Sequence, residues 1–463
     1  MPTESAQLTK SETSLDNEAT AAEPAVQDPQ PRRRESRMFA SFKVLNYRFF
    51  FAGALVSNIG TWMQRIGQDW LVLTHLTDHS STALGIVTAL QFLAIPLLAP
   101  LAGAVVDRLP KRQLLMVTQM LLGISAGLLW LMVALDVVQL WHVYVFALLQ
   151  GVLASFDNPA RQSFVSEIVD AELLPNAVGL NSTSFNGARM CGPALAGVLV
   201  AAVGVAPTLL INALSFGAMI AALALMRPEL LHPAPPAKGH GAVRDGLRYV
   251  ARRPDIIVLL VIVFMLGTFG MNFQIWNATM ATTVFGRGAA EFGLLGTIMA
   301  VGTLGGALMA ARRVRPRIRT ILVALAGFSI CSLLLAAAPS YEFYAVMLVP
   351  AGFTALTVMT SANASVQLAT APSYRGRVMA LYMAIFFGGT PLGAPIIGWI
   401  GGALGPRASV LMGALLTGLC VAGVLIWMMV HEGLRLKLQR RWPVLLTRWT
   451  EVEVESREAA AER

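Results

Sequence analysis

Long apolar runs constrain the fold of this chain more than any other feature of its sequence. Twelve runs of roughly 20 residues recur between positions 47 and 430, and each is long enough to cross a bilayer core of about 30 Å. Backbone polar groups must be satisfied within the segment in lipid, so such runs predict transmembrane helices. A membrane β-barrel would instead show alternating segments of about 10 residues. The sequence therefore predicts an all-α polytopic membrane protein.

The predicted spans cover most of the chain. Only 13% of the residues are charged, whereas a soluble protein carries about 25%. The twelve spans are 47–75, 82–105, 113–134, 141–158, 176–203, 206–226, 255–279, 290–311, 319–338, 342–368, 376–404 and 407–430. They define six-helix halves at 46–226 and 255–431, joined by a linker with an amphipathic helix at 227–254. We expect a disordered cytoplasmic tail at 1–45 and a cytoplasmic tail at 432–463 that is helical or disordered.

Basic residues alternate between loops and so predict the topology. The loops after even-numbered spans hold seventeen Lys or Arg residues, and the loops after odd-numbered spans hold two. The seventeen are Arg108, Lys111, Arg112, Arg161, Arg227, Lys238, Arg244, Arg248, Arg252, Arg253, Arg312, Arg313, Arg315, Arg317, Arg319, Arg375 and Arg377; the two are Arg287 and Arg407. Cationic loops stay in the cytoplasm, which predicts that both termini are cytoplasmic. The same pattern explains the net charge of +9, so we expect no nucleic-acid partner.

An internal repeat relates the two halves. Gly103 and Gly306, each near the end of a span before a basic loop, are 203 residues apart, while Pro193 and Pro395 are 202 apart. A constant offset of nearly half the chain indicates two homologous six-span units. Both prolines are predicted to break their spans.

The segment between spans two and three combines a small residue, a carboxylate and three cations. Its residues are Gly103, Asp107, Arg108, Lys111 and Arg112. A glycine permits close helix packing, and Asp107 follows it by one turn on the same face. We interpret the segment as a cytoplasmic gate latch that is made and broken during a conformational change. The alternative is a purely topological role, in which the basic residues keep a loop in the cytoplasm.

Two charged residues lie within span one. Arg65 and Asp69 are four residues apart and can pair on one helix face, with Gln68 beside them. A charge at the bilayer centre costs about 2.5–3.5 kcal/mol or more and usually marks an ion or proton pathway. We therefore predict that Asp69 takes up a proton from outside and releases Arg65. The alternative is a static pair near the outer rim.

Span five carries an arginine near its middle. Arg189 lies about 20 Å into the helix, so we expect it to face a cavity or a carboxylate rather than lipid. Asn181 and Asn186 occupy the same helix; a structural hydrogen bond to neighbouring carbonyls is the alternative role for Arg189. The residues predicted to bend or gate spans five and eleven are Gly192, Pro193, Gly197, Pro391 and Pro395.

The end of span four places Asp157 and Arg161 at the predicted cytoplasmic boundary. We expect Asp157 to act as a proton-coupling residue or as the partner of a loop arginine; interfacial solvation is the alternative. The remaining candidates for lining a cavity are uncharged or aromatic: Gln68, Gln91, Asn272, Gln274, Trp276 and Asn363. Each can equally serve as a hydrogen bond between helices.

Several functions lack any sequence support. The sequence has no Walker A motif, dinucleotide fingerprint or metal-ligand cluster, so we expect no enzyme activity, cofactor or metal. Cys191, Cys331 and Cys420 all lie inside apolar runs without disulfide or metal spacing.

The sequence resembles the drug:proton antiporter-like branch of the major facilitator superfamily, which includes the enterobactin exporter and the transmembrane secretion effector proteins. The pattern G-x-x-x-D-R-x-x-[KR]-R at 103–112 is similar to the superfamily's loop signature. Further blocks of resemblance are residues 60–73, 156–162, 174–182, 192–197 and 375–379. The sequence departs from the pattern at Pro110, where a glycine is usual, and at Ala147, where related exporters have an arginine linked to proton transfer.

The resemblance implies twelve helices in two halves with a substrate site between them near the membrane midplane. It implies a secondary transporter in a bacterial cytoplasmic membrane that exports small amphipathic molecules, drug-like or siderophore-like, in exchange for protons. A symporter or uniporter on the same fold, and a non-transporting receptor or assembly factor, remain alternatives. We expect a monomer whose partners are a small-molecule substrate, protons and the lipid bilayer.

Overall fold

A computed structural model of the chain describes residues 39–232, 243–311, 317–372 and 374–431, together with two strands at 435–447 that lack the two residues between them. Nearly all of the disordered tail predicted for 1–45 lies outside these residues, as does the proline-rich part of the linker.

The described part of the chain is almost entirely helical. Its α-helices are α1 (Leu45–Leu71), α2 (Ser81–Arg108), α3 (Lys111–Ala134), α4 (Leu140–Ile168), α5 (Leu174–Val203), α6 (Val205–Leu225), α7 (Val243–Ala251), α8 (Pro254–Met265), α9 (Phe273–Thr279), α10 (Ala289–Ala311), α11 (Ile318–Ala336), α12 (Tyr341–Ala369), α13 (Arg375–Leu404) and α14 (Pro406–His431). The strands β1 (Arg435–Gln439) and β2 (Trp442–Thr447) form an antiparallel hairpin. The expectation of a helical or disordered tail after residue 432 is therefore wrong for this hairpin, in which Leu and Val recur on neighbouring strands.

Eleven helical segments in the described residues are long and apolar enough to cross a membrane, and Pro254–Val284, which includes α8 and α9, counts as one of them. Helix α1 is not among the eleven, because charged and amide side chains lower its hydropathy. It has 27 residues and packs between α5 and α6 as a further member of the bundle. With α1, the described helices are compatible with the twelve spans that the sequence predicts. We call the side where α1 begins the inner side, which the charge count predicts to be cytoplasmic, and the opposite side the outer side.

The two halves have matching turns. Gly204 joins α5 to α6 with φ +87°, and Gly405 joins α13 to α14 with φ +91°. Both values lie in the left-handed region, where a side chain is strained, so glycine suits both turns. The two turns occupy equivalent places in the repeat that the sequence predicts.

Proline does not break the two helices in which we predicted breaks. Helix α5 is continuous across Pro193 and α13 is continuous across Pro391 and Pro395. Neighbouring helices make such prolines tolerable in a membrane bundle. The interruption occurs in span seven instead, where a π-helical turn at Leu266–Gly270 separates α8 from α9. Such turns are frequent at functional sites.

Candidate functional site

Helix α1 has two opposite faces with different partners. Gly53 and Gly60, seven residues apart, face α6: a Cβ added at Gly53 would lie 2.6 Å from the side chain of Ala222. At 100° per residue, Trp62, Arg65 and Asp69 fall on the opposite side of the helix. That side faces the second half, since Asp69 bonds to a residue of α9. The sequence candidates in span one therefore lie at the boundary between the halves.

Two helix crossings close this boundary on the outer side. Helix α2 crosses α13, and a Cβ added at Gly85 would lie 2.5 Å from the carbonyl oxygen of Ala394. Helix α5 crosses α10, and a Cβ added at Gly197 would lie 2.6 Å from the carbonyl oxygen of Ala289. We call the two crossings the outer seal. They are related by the sequence repeat, because α2 and α5 of the first half match α10 and α13 of the second.

Three side-chain hydrogen bonds join the halves within the described residues. Thr82 Oγ1 donates to the carbonyl of Gly398, and Thr297 Oγ1 donates to the carbonyl of Met190 at 2.7 Å. The third runs from Gln274 Nε2 to Asp69 Oδ2, at 2.5 Å, and involves an ionisable group. All three lie at or beside the outer seal, so the closed outer side is where the halves are bonded together.

Asp69 belongs to a buried group of polar side chains with unused hydrogen-bonding capacity. Asp69 is fully buried, and its Oδ1 has no partner in the described part of the chain. Both amide atoms of Gln68 and of Gln91 are likewise buried without partners, as is Oδ1 of Asn272. Buried polar atoms are usually satisfied, so each of these unpartnered atoms is an exception to ordinary packing.

Arg65 does not pair with Asp69 as we predicted. No ion pair within 4.0 Å joins them, and the Arg65 guanidinium instead lies over Trp62, with Cζ 4.9 Å from the ring centroid. Phe92 of α2 lies on the same guanidinium at 5.5 Å. Gln274 bonds to one of the two carboxylate oxygens of Asp69, and the aromatic rings offer the cation an alternative contact.

Arg189 approaches the same indole from α5. Its Cζ lies 5.8 Å from the Trp62 ring centroid, and Phe185 packs against that ring at 6.2 Å. We call Trp62, Arg65, Phe92, Phe185 and Arg189 the arginine–tryptophan cluster. Sequence analysis identified its two arginines but not its aromatic residues. The signal for Trp62 is its spacing, three residues before Arg65 on the same helix face.

Two basic residues of the predicted gate latch bond to groups outside the 103–112 segment in this conformation. Lys111 Nζ bonds to Oε1 of Glu167 in α4 at 2.5 Å, a carboxylate that sequence analysis missed. Arg112 donates to the carbonyl of Leu223 at the end of α6, where helix carbonyls lack intrahelical partners. A Cβ added at Gly103 would meet nothing within 4 Å. The close packing expected at Gly103 is therefore absent here, while Asp107 is half-buried and Arg108 is exposed.

Asp157 lies inside α4 rather than at its end, because that helix continues to Ile168. Its partner is Arg161, one turn further along the same helix, with Nε–Oδ2 at 2.6 Å. The other carboxylate oxygen accepts hydrogen bonds from Thr118 and Gln119 of α3, each at 2.7 Å. Arg161 also reaches Ser57 of α1 at 3.2 Å. Arg161 is thus not a loop residue, and these contacts join α1, α3 and α4 within the first half.

The remaining candidates are dispersed. Trp276 is fully buried and donates to Ser409, so it packs within the second half instead of lining the boundary as predicted. Asn186 donates to the carbonyl of Ser182 on its own helix. Asn363 accepts from Gln367, and Asn181 is half-buried. Gly192 does serve close packing, since an added Cβ would lie 2.5 Å from Trp62 Cβ.

The described residues contain no group of His, Cys, Asp and Glu that could hold a metal ion. The arrangement instead consists of an outer seal, a carboxylate bonded across it, and a cluster of cations and rings on the inner side of the seal.

Known proteins resemble this chain along most of its length. The sequence profile of a family described as transmembrane secretion effector matches residues 36–454. The staphyloferrin A transporter of Staphylococcus aureus is 31% identical over 170 residues, which cover 36% of this chain and 42% of that protein. The multidrug efflux pump Tap of Mycolicibacterium fortuitum is 26% identical over 379 residues, which cover 77% of this chain and 90% of the pump. A solved structure of a mutant of the nucleoside transporter NupG has the same fold, with a TM-score of 0.65 and 12% identity, covering 82% of this chain and 99% of that one.

Proposed function

Because the chain belongs to the transmembrane secretion effector family of major facilitator transporters, we propose that it exports small amphipathic molecules in exchange for protons. Export is the activity named for the pump Tap, which the chain matches over most of its length. We place the protein in a bacterial cytoplasmic membrane as a monomer, with both termini in the cytoplasm. The fold supports alternating access, in which the halves open to one side at a time.

The Asp69–Gln274 hydrogen bond is the observation that carries the exchange with protons. When the outer seal is closed, the amide of Gln274 donates to Asp69. A hydrogen bond to a charged acceptor is worth about 1.5–3 kcal/mol, roughly twice a neutral one. Closing the outer side therefore favours the ionised carboxylate and release of its proton toward the inner side. Opening the outer side removes the donor, so the buried carboxyl group can take up a proton from outside.

The test is proton movement in liposomes that contain the purified chain and a pH-sensitive dye. A panel of fluorescent dyes, drugs and catechol-type chelators is added to the wild type, Asp69→Asn and Asp255→Asn. Asp255 is the matched control, because its carboxylate is exposed and paired with Arg253 at the inner end of α8. We expect substrate-dependent proton movement opposite to the substrate, absent in Asp69→Asn and retained in Asp255→Asn.

Substrate movement without protons, equal in all three proteins, would contradict proton coupling and leave Asp69 a structural residue of the outer seal. Protons moving in the same direction as the substrate would identify an importer.

A further inference from the structure

We propose that the arginine–tryptophan cluster selects substrates that carry two anionic groups on or beside a planar ring system. This inference rests on the proposed export function, since it names the substrate class of the same transporter. The site is the face that α1, α2 and α5 present on the inner side of the outer seal.

The charges in the cluster are the first step. Arg65 and Arg189 both lie over the ring of Trp62, with their Cζ atoms 4.9 and 5.8 Å from its centroid. Neither guanidinium makes a hydrogen bond or an ion pair in the described part of the chain, although each has five N–H donors. Asp69, the nearest carboxylate on α1, is bonded to Gln274. Two cations therefore share one ring: Arg65 interacts with Asp69 through charge but forms no ion pair with it within 4.0 Å, and no ion pair to Arg189 is found in the described residues.

The position of the cluster is the second step. Met190, next to Arg189, receives the hydrogen bond from Thr297 that ties α5 to α10. Trp62 is fixed against α5 at Gly192, where any side chain would collide with it. The cluster thus lies directly against the outer seal, on its inner side. A molecule that enters from the inner side meets these two cations where its path ends.

The shape of the cluster is the third step. A guanidinium is flat and binds a carboxylate with two parallel N–H···O bonds, and it stacks on aromatic faces. Phe92 and Phe185 extend the apolar surface beside Trp62. Planar rings pack well against such surfaces. A cationic substrate would meet two positive charges in a setting of low dielectric, where like charges repel strongly. The cluster therefore favours aryl anions over aryl cations.

The experiment uses two dyes that share a xanthene–phenyl scaffold and differ in charge. Fluorescein is a dianion in mildly alkaline buffer, and rhodamine 123 is a cation. Binding of each to the purified full-length chain in lipid nanodiscs is measured by fluorescence polarisation. We expect tighter binding of fluorescein, weakened about tenfold or more by Arg189→Gln and by Arg65→Gln, because each variant removes charge-assisted hydrogen bonds to the dye. Rhodamine 123 should bind the two variants as well as the wild type, or better.

Arg287→Gln is the matched control. Arg287 also lies over an aromatic ring, with Cζ 5.4 Å from the centroid of Tyr341, but it is exposed and paired with Glu342. Its replacement should leave fluorescein binding unchanged. Arg65→Lys and Arg189→Lys keep the positive charge but lack the planar guanidinium with its parallel N–H donors. They should lose less fluorescein affinity than the glutamine variants. Fluorescein binding to the wild type should also weaken with added salt, a readout that requires no variant.

Equal affinity of the wild type for both dyes, tighter binding of rhodamine 123, or fluorescein binding that neither glutamine variant changes would each overturn the proposal. Binding is measured without transport, so the two proposals fail separately. Preference for fluorescein in a protein that moves no dye in liposomes would preserve the binding site and refute export. Proton-coupled transport that does not depend on the charge of the dye would support export and refute the proposed selection of anionic substrates.

Discussion

At the scale of single residues, Asp157 shows how this bundle holds a charge away from lipid. Both of its oxygens are used, one by Arg161 and the other by Thr118 and Gln119. Replacing the carboxylate by an amide leaves the Arg161 guanidinium buried without its counter-charge. Breaking a buried pair in this way costs about 3–5 kcal/mol. We expect Asp157→Asn to lower the thermal midpoint of unfolding in detergent by several degrees, measured by scanning fluorimetry.

The control for Asp157→Asn is Asp255→Asn. The Arg253–Asp255 pair has a similar shortest distance, 2.7 Å, but both side chains are more than a third exposed. Pairs of this kind contribute about 0–1 kcal/mol, so the midpoint should hardly move. Equal losses in the two variants would show that the Asp157 contacts do not act as a buried network.

The sequence draws attention to the charged residues inside the spans, but it does not identify the side chains that they contact. Arg65, Asp69 and Arg189 are conspicuous because charges inside apolar runs are costly and rare. Partner choice depends on which neighbouring helix supplies a side chain at the right depth. Gln274 lies 205 residues beyond Asp69 in the chain, and no local spacing connects the two.

At the scale of helices, the close crossings of the outer seal yield a prediction. Gly85→Val and Gly293→Val place side chains where the carbonyls of Ala394 and Pro193 lie. Overpacking costs about 1–3 kcal/mol, so each variant should disfavour the outer-closed state by roughly tenfold. The measurement is the distance between spin labels on Asp78→Cys and Arg287→Cys, which lie in the outer loops of the two halves. In both valine variants a larger fraction of molecules should show long label-to-label distances.

Gly217→Val in α6 is the matched control for these crossings, because a Cβ there meets nothing within 4 Å. Its distance distribution should equal that of the wild type. If all three glycine variants gave the same distribution, the crossings would not determine closure of the outer side.

Helix boundaries were the most predictable feature at this scale, since apolar runs end where polar loops begin. Helix α4 is the clearest exception: it continues ten residues past the predicted end at 158, because its last turns pack within the bundle beside Lys111. The interruption of span seven also escaped prediction. No proline marks the interruption, and the π-helical turn at Leu266–Gly270 lies against α13, where Gly393 approaches the backbone of Thr268.

At the scale of the whole molecule, the sequence repeat predicts the two halves, and their related crossings in the outer seal agree with it. A repeat does not specify which side is closed, since the two halves can rock either way around their boundary. In this structure the outer crossings are tight, while Gly103 and Gly187 have open space beside them. Closure of the outer side in this structure therefore depends on contacts between the halves, and those contacts cannot be predicted from a single sequence.

The orientation of the whole molecule is the last prediction, and it follows from charge alone. With Arg161 placed inside α4, the sequence segments that follow even-numbered spans still hold sixteen basic residues, against two in the segments that follow odd-numbered spans. That asymmetry places the inner side in the cytoplasm. The test uses single cysteines at exposed loop positions, Asp78→Cys on the outer side and Glu172→Cys on the inner side, with the three native cysteines replaced by serine.

A membrane-impermeant maleimide should label Asp78→Cys in intact cells and Glu172→Cys after permeabilisation. The reverse labelling pattern would show that the molecule has the opposite orientation in the membrane. In that case the outer seal would close the cytoplasmic side, Asp69 would release its proton outward, and proton entry could not drive export by the mechanism proposed. Labelling therefore tests the proposed direction of coupling without requiring a known substrate, because the proposed mechanism releases the proton toward the side opposite the outer seal.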